Sequence, residues 1–322
     1  MKKKALFLFL ATMAISGCTR KDNQIIEQNP VPEVAAIKER RCASYDVLQQ
    51  SLLADPSLAG RMARIEQLTA DVQKNKSLYR LLPNGTIEIP VVVNVLYRTA
   101  AQNVSQAQIQ SQIDALNADY NTLYTVPPIF DSLRASVGIR FSLKNVVRKS
   151  TTKTSWGTND AMKKSAQGGI NPTTPDSVLN LWVVGAMTGG VIGYAQFPGG
   201  PAATDGVVIA YDCFGTIGTA ASPFNVGRTA THEIGHWLNL RHIWGDATCG
   251  NDLVDDTPLH DAANFGCPTY PHRSTCTGTP IEMTMNYMDY SDDACMAMFT
   301  KGQKTRMLAT FLTGGGRNGF AH

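Results

Sequence analysis

The stretch His232-Glu-Ile-Gly-His-Trp-Leu-Asn-Leu-Arg-His242 is the most informative part of this chain of 322 residues. It contains H-E-x-x-H, and on a helix His232 and His236 lie one turn apart on the same face, so both imidazoles can reach one metal ion. Glu233 then lies beside the ion, and His242 is the candidate for a third ligand. Three protein ligands with one open position are typical of a catalytic zinc site. The sequence therefore predicts a zinc hydrolase.

A sharp turn must lie between His236 and His242 if the third imidazole is to return to the metal. After Gly, Asn is the residue that best tolerates positive φ at the end of a helix, and Asn239 stands in this place. We therefore predict that the helix ends near Asn239. The five-residue motif alone also occurs in helices that bind nothing, but the third histidine and the helix-terminating residue favour the metal site.

This pattern resembles that of the metzincins, H-E-x-x-H-x-x-G-x-x-H with a methionine-containing turn downstream. Asn239 departs from the consensus Gly. Within the metzincins the chain resembles the pappalysin family, particularly its small bacterial members. The stretches that carry this resemblance span most of residues 85–312: Leu181-Trp-Val-Val184, Gly193-Tyr-Ala-Gln-Phe-Pro198, Asp205-Gly-Val-Val-Ile209, His232 to Asp246 and Asn286-Tyr-Met-Asp-Tyr290.

The resemblance implies an α+β metzincin fold. A mixed twisted sheet with a backing helix and a zinc-binding active-site helix would lie above a loop-rich, disulfide-stapled C-terminal subdomain. It also implies that Met288 forms a hydrophobic floor beneath the metal and that Tyr290 stabilises the tetrahedral intermediate. Without the resemblance, both residues would be assigned to ordinary packing.

The chemistry follows from these assignments. With zinc held by the three histidines, we expect Glu233 to deprotonate the attacking water and then to protonate the leaving amine. This is the mechanism of a secreted, lipid-anchored zinc endopeptidase. Two alternatives are an inactive metzincin scaffold used for binding or adhesion and a zinc enzyme acting on a non-peptide bond. The intact Glu233 and Tyr290 argue against the inactive scaffold.

The N-terminus has the pattern of a lipoprotein signal peptide over residues 1–17. Lys2 to Lys4 are basic, and Ala5 to Ile15 form an apolar stretch too short for a stable membrane span. Ile15-Ser-Gly-Cys18 resembles a lipobox, with Cys18 as the lipidated residue; an ordinary secretory peptide is the alternative. We expect an exported lipoprotein of the bacterial outer membrane or cell surface, with release of the mature enzyme as a further option.

The chain is expected to continue with a tether over residues 18–35, a prosegment over 36–80 and the catalytic domain over 81–322. Cys42 follows two arginines and is a candidate latency switch, because a thiolate binds zinc well. An unpaired thiol or a disulfide with Cys213 is the alternative. Basic residues at Lys74 to Lys76 or at Arg80 are candidate maturation sites.

Export makes disulfides plausible, and four cysteines cluster after the zinc motif. Four cysteines allow three connectivities, among which the sequence does not choose. The family resemblance implies the pairs Cys249–Cys276 and Cys267–Cys295. We expect Cys213 to be a small, buried hydrophobic residue.

An acidic stretch, Asn251-Asp-Leu-Val-Asp-Asp-Thr-Pro258, follows the zinc motif. Calcium prefers six to eight oxygen ligands, and the candidates are Asp252, the Val254 carbonyl and Thr257. A solvated acidic turn is the alternative. His260 and His272 are expected on the surface. Asp292 and Asp293, after the methionine turn, leave a preference for basic substrate side chains open.

The charge balance suggests no polyanionic partner. Of 29 basic residues, Lys2 to Lys4 belong to the signal peptide, so the processed chain has 29 − 3 = 26 basic against 26 acidic residues. We expect protein or peptide substrates, no nucleic acid, membrane contact through the lipid alone, and a monomer.

Several elements can be predicted from local signals. Helices over Ala43–Asp71 should break at Asp55-Pro56, a helix capped by Ser105 should present apolar residues from Ile109 to Leu123, and Thr300 with Gln303 should cap a last helix. Strands are expected at 86–97, 138–147, 178–185 and 206–211.

Overall fold

A computed structural model describes residues 39–75 and 85–320. The signal peptide, Cys18, the tether and the candidate maturation site Arg80 lie outside these ranges. The described residues belong to one compact unit. Within them, no helix combines the length and the apolar character that a bilayer span requires.

A twisted five-stranded sheet lies at the centre of the described part of the chain. Its strands are β1 (Ile87–Tyr97), β2 (Ile139–Ser150), β4 (Leu179–Val184), β6 (Gly193–Ala195) and β7 (Val207–Ala210), in the order β2-β1-β4-β7-β6. A two-stranded piece pairs β3 (Ser155–Trp156) with β5 (Ala186–Met187). β1, β2, β4 and β7 run parallel, and β6 joins the edge antiparallel to β7. The centre of β1 is buried on both faces, as its run of Val residues predicts.

Helix α3 (Gln106–Asp119) backs the sheet and is capped by Ser105, whose hydroxyl accepts a hydrogen bond from the Gln108 amide at 3.1 Å. Its apolar face buries Ile109, Ile113 and Leu116. The expectation that Leu123 extends this face is wrong. The helix ends at Asp119, and Leu123 is 52% exposed because the chain has already turned away.

Two helices precede the sheet: α1 (Ser44–Ala54) and α2 (Ser57–Lys74), which break at Asp55-Pro56 as predicted. Both pack on the rest of the molecule and bury residues such as Val47, Ile65 and Val72. The short helix α4 (Pro128–Asp131) follows α3.

The C-terminal third is rich in loops. Helix α5 (Arg228–Trp237) precedes these loops along the chain, and helix α6 (Lys301–Ala309) follows them. Thr300 and Gln303 form the predicted capping box of α6. Two disulfides, Cys249–Cys276 and Cys267–Cys295, tie this region together, in the pairing that the family resemblance implies. Such links restrict the unfolded chain, which compensates for a segment with little apolar material. The α+β metzincin architecture expected from the sequence is confirmed.

Candidate active site

Helix α5 positions the first two histidines, which lie one turn apart and are almost fully buried. The helix ends at Trp237, and Asn239 adopts φ 72°, in the left-handed region. This is the pivot that the sequence predicts. It sends the chain back so that His242 reaches the same point as His232 and His236.

The three imidazoles converge through their Nε2 atoms. His236 Nε2 lies 3.2 Å from His232 Nε2 and 3.1 Å from His242 Nε2. Two nitrogens bound at about 2.05 Å in a tetrahedral zinc site are about 3.3 Å apart, so the spacing fits zinc. Burial and the neighbouring imidazoles lower the pKa of His232 and of His236 well below the usual range, so both rings are neutral. Neutral rings present the lone pairs that a metal requires.

The opposite nitrogen of each ring is held by an acceptor. His232 Nδ1 donates to the Tyr287 carbonyl at 2.7 Å and His236 Nδ1 to the Leu240 carbonyl at 2.8 Å, whereas His242 Nδ1 contacts the Asp246 carboxylate. These bonds place the proton on Nδ1 and leave Nε2 free for the metal.

Met288 packs directly beneath α5. Its sulfur lies where a side chain at Gly235 would be, since a Cβ built on Gly235 would come within 2.4 Å of Met288 Sδ. Gly235 therefore allows the methionine turn to approach the histidines from below. Met288 itself is fully buried.

Glu233 is 1% exposed and points along β6. A Cβ on Gly193 would lie 2.8 Å from the Glu233 side chain, so the strand and the carboxylate touch only because residue 193 is Gly. The Ser44 hydroxyl donates to Glu233 Oε2 at 2.8 Å, and the Cys42 thiol donates to the same oxygen at 3.2 Å. Burial raises the pKa of Glu233 to about 7, although these hydrogen bonds oppose the shift.

The Cys42 sulfur lies among the three histidines, with all four ligand atoms within 4.8 Å of one another. Burial and the negative charge of Glu233 raise the pKa of the thiol well above its usual value, and the Ser44 amide donates to the sulfur at 3.3 Å. A bound cation reverses this balance and favours the thiolate. The Tyr290 hydroxyl donates to the Cys42 carbonyl at 3.1 Å, which places the phenol at the same centre.

Residues 41–44 lie along the open edge of β6. The Ile192 amide donates to the Arg41 carbonyl at 2.9 Å, and the Ala43 amide to the Gly193 carbonyl at 3.0 Å. The Ser44 hydroxyl accepts from the Ala195 amide at 2.8 Å. The segment before α1 therefore covers the edge strand next to the histidines.

The side chain of Arg40 lies beside the site and is only 1% exposed. Its guanidinium pairs with Asp293 at 2.7 Å and donates to the Ser291 carbonyl and the Thr229 hydroxyl. Of the two carboxylates after the methionine turn, Asp293 therefore pairs with a buried guanidinium, whereas Asp292 is half-buried.

The acidic stretch after the zinc motif forms a tight loop. The Thr257 hydroxyl lies 2.9 Å from Asp252 Oδ2 and 2.8 Å from the Val254 carbonyl, so the three calcium candidates share one point. Burial raises the pKa of Asp252 to about 7. Asp256 instead binds the start of α6 through the Gly302 amide at 2.9 Å.

The structure also places His260, His272 and Cys213. His260 is not a surface residue: it is 0% exposed, because Met283 donates its amide to His260 Nε2 at 3.0 Å and two buried carboxylates lie beside its other nitrogen. His272 is exposed at 43%, as expected. Cys213 is buried, and both it and Cys42 are free thiols, so they do not form a disulfide with each other.

Three residues at this site were not assigned from the sequence. Ser44 and Arg40 contact residues far along the chain, Glu233 and Asp293 respectively. Asp246 contacts His242 within an irregular turn. The only signal available was their nearness to Cys42 and to His242.

The fold and the histidine cluster together define a zinc metalloprotease of the metzincin type. Comparisons agree. The model of the family described as pregnancy-associated plasma protein-A matches residues 178–312. An extracellular metalloprotease of Pyricularia oryzae is 37% identical over 292 residues, covering 87% of this chain and 92% of that protein.

Two solved structures are also similar. A mutant of Tannerella forsythia promirolysin is 41% identical, with a TM-score of 0.76, and covers 87% of this chain and 97% of its own. Tannerella forsythia mature mirolysin in complex with a cleaved peptide is 44% identical, with a TM-score of 0.70, covering 74% and 96%. The chain belongs to the pappalysin family of metzincin metalloproteases.

Proposed function

We propose that this protein is an endopeptidase whose zinc ion is held by His232, His236 and His242. The observation that carries this proposal is the convergence of three Nε2 atoms beside the Glu233 carboxylate. When bound, zinc polarises a peptide carbonyl and lowers the pKa of water toward neutrality. The alternative functions, an inactive scaffold or hydrolysis of another bond, are separated by incubation with denatured protein. Cleavage that stops with a zinc chelator and returns with zinc supports the proposal, and intact substrate with zinc-loaded, prosegment-free protein contradicts it.

Two protein side chains, Glu233 and Tyr290, carry out the remaining steps of the proposed reaction. Glu233 takes a proton from the attacking water and returns it to the leaving amine. Its pKa is raised to about 7 in the covered state, in which Cys42 and Ser44 lie against the carboxylate. The Tyr290 hydroxyl, next to the site, donates to the oxyanion of the tetrahedral intermediate. In the present structure it donates to the Cys42 carbonyl instead.

We also propose that residues 36–80 are a prosegment that keeps the enzyme latent. The Cys42 sulfur occupies the position that the attacking water needs, and the Ser44 hydroxyl blocks the general base. A prosegment carboxylate that reaches the metal, such as Asp46, is an alternative route to latency, but the Asp46 side chain is exposed. The matched share of this chain rises from 74% with mature mirolysin to 87% with promirolysin, as expected if the chain carries a prosegment.

The substrates we propose are extended peptides with a basic side chain next to the cut bond. Residues 41–44 show that the β6 edge accepts an extended segment by backbone hydrogen bonds. The surroundings of Arg40 offer Asp293 and two neutral acceptors to a guanidinium. Mature mirolysin is described with a cleaved peptide, which agrees with a peptide substrate.

Calcium is proposed at Asp252, Val254 and Thr257. The three oxygens already touch one another, and the buried Asp252 carboxylate has no cation within hydrogen-bonding distance among the contacts of the described residues. A calcium ion there would stabilise the loop that leads from the zinc motif to α6.

Export and lipid attachment at Cys18 are proposed from the signal pattern, and the relatives named extracellular metalloproteases agree with export. Labelling of cells with a clickable fatty acid tests the anchor. Loss of the label in Cys18→Ala supports it, and an unchanged label and membrane fraction in that variant contradict it.

A further inference from the structure

His242 differs from the other two histidines in how it is held. His232 and His236 lie on α5, and each donates its Nδ1 proton to a backbone carbonyl. His242 lies after the Asn239 turn, in a segment without regular structure. Its orientation therefore depends on side chains, and a mutation can remove those contacts one at a time.

Two side chains hold the ring. Trp244 stacks on it, with centroids 4.3 Å apart and planes within 8° of parallel. The Asp246 carboxylate accepts a hydrogen bond from His242 Nδ1, and both side chains are largely buried, at 13% and 2% exposure. Trp244 also contacts Tyr290 edge to face, with ring centroids 4.7 Å apart, so the side chain that stacks on His242 also touches the phenol ring.

The backbone is shaped to make this contact. Asp246 adopts φ 57°, a region that costs an L-residue free energy and that Asp and Asn tolerate better than most. The preceding residues turn back on the chain, because the Gly245 amide donates to the His242 carbonyl at 2.8 Å. Strained backbone of this kind is retained where the surrounding structure requires a particular side-chain position.

We propose that Asp246 is a positioning residue of the zinc site, whose carboxylate holds the His242 ring with Nε2 toward the metal. The carboxylate fixes the tautomer of the ring and makes Nε2 a better donor to a cation. The inference rests on zinc binding by the three histidines, as proposed above. Asp246 lies outside the H-E-x-x-H pattern, so this role is not contained in the motif.

The test compares two variants that differ in what they remove. Asp246→Gly removes the side chain without a penalty for the left-handed backbone, whereas Asp246→Asn keeps the backbone preference and a carbonyl acceptor but loses the charge. Both are made in the full chain with Glu233→Ala, which prevents self-cleavage. Asp114→Asn, at an exposed carboxylate on α3 that contacts Gln110, is the control.

The zinc dissociation constant is measured by competition with a chelator, and the melting temperature is measured with and without zinc. We expect the dissociation constant to rise about 10- to 100-fold in Asp246→Gly, with a smaller rise in Asp246→Asn and none in the control. The zinc-free proteins should melt close to the zinc-free parent.

Unchanged zinc affinity in Asp246→Gly overturns the inference. So does an equal drop in melting temperature with and without zinc, since this would mean that Asp246 supports the fold rather than the metal. Should Asp246→Gly not fold, unchanged affinity in Asp246→Asn also overturns it. A parent that binds no zinc would instead contradict the proposed function itself.

Discussion

Arg40 and Asp293 form an ion pair of 2.7 Å in which both side chains are at most 1% exposed. A charge is buried this completely only where its partner compensates the lost hydration. In the proposed activation, Arg40 leaves with the prosegment, and the buried Asp293 carboxylate loses its guanidinium partner. The pair therefore leads to a prediction about substrates.

Asp293→Asn should lower kcat/KM for a peptide with Arg in the place of Arg40 by about 30-fold or more, because a buried charge pair is lost. A peptide with norleucine in place of Arg should be affected much less. Asp292→Asn, next to it but half-buried, is the matched control and should behave as the parent. Equal losses on both peptides would show that Asp293 supports the fold and not the specificity. Its carboxylate also accepts a hydrogen bond from the Val226 amide at 2.8 Å, which is a structural contact.

Cys42→Ala should abolish latency. The precursor should cleave a peptide substrate without prior processing and should degrade itself on a gel, because the position next to the three histidines becomes free for water. Cys213→Ala is the control, since Cys213 is the other free thiol of the described residues and does not belong to the group of four metal-ligating side chains. A Cys42→Ala precursor as latent as the parent would mean that Arg40, Ser44 and the covered β6 edge suffice.

Glu233→Ala should lower turnover by at least about a hundredfold while zinc content stays at one per chain, because the carboxylate acts on protons and is not a ligand. Zinc content is measured by elemental analysis of the purified protein. His242→Ala should instead lower the zinc occupancy, because it removes one of the three proposed ligands. Residual turnover near the parental rate in Glu233→Ala would remove Glu233 from its assigned role.

Calcium should raise the melting temperature of the parent, and a calcium chelator should lower it, because the buried Asp252 carboxylate, the Val254 carbonyl and the Thr257 hydroxyl lie together in one loop. Asp252→Asn should lose most of this response. Asp255→Asn should keep it, since Asp255 lies in the same loop with an exposed side chain. A melting temperature that does not respond to calcium in the parent would favour the acidic turn without a metal.

Stability should depend on pH through Asp289. Burial, and then the charge of Glu282, raises the pKa of Asp289 to about 7, from an ordinary value of 3.8. The folded state therefore binds this proton more tightly than the unfolded state. The contribution is present below pH about 4 and is lost as the pH rises to about 7, by up to about 4 kcal/mol.

The measurement is the free energy of unfolding by urea between pH 4 and 8 in the Glu233→Ala background. Asp289→Asn should remove the Asp289 contribution, so the difference in unfolding free energy between the parent and the variant should change by up to about 4 kcal/mol across this range. His260 has the opposite effect, because burial lowers its pKa to about 3 while the unfolded imidazole binds a proton below about pH 6.5, so the Asp289 contribution is obtained as the difference between the parent and the variant. Identical slopes in the parent and in Asp289→Asn would refute the assignment.

The local parts of this structure were predictable, because they depend on short-range chemistry. Ser105 and Thr300 cap their helices with bonds to residues three positions later, and Asn239 turns where a residue that tolerates positive φ was needed. The spacing of the histidines fixed the metal cluster for the same reason.

The contacts that were missed join distant parts of the chain. Ser44 meets Glu233 across 189 positions, and Arg40 meets Asp293 across 253. No periodicity or motif encodes such a meeting, which depends on where the sheet edge and the disulfide-tied loops lie. His260 was misjudged for a related reason: its partners Glu282 and Asp289 are ordinary in sequence and become a buried cluster only in three dimensions.

The proposed prosegment is attached at two separated places, since residues 41–44 cover the β6 edge and Glu66 on α2 binds the buried Arg306 at 2.9 Å. While it is covalently linked, it competes with substrate at an effective concentration on the order of millimolar. A cut after α2 does not break these contacts; it converts them into a complex of two molecules. Cleavage and activation are then separate events, and activity should appear on dilution or when the released segment is itself digested. A concentrated stock of cut enzyme would remain self-inhibited.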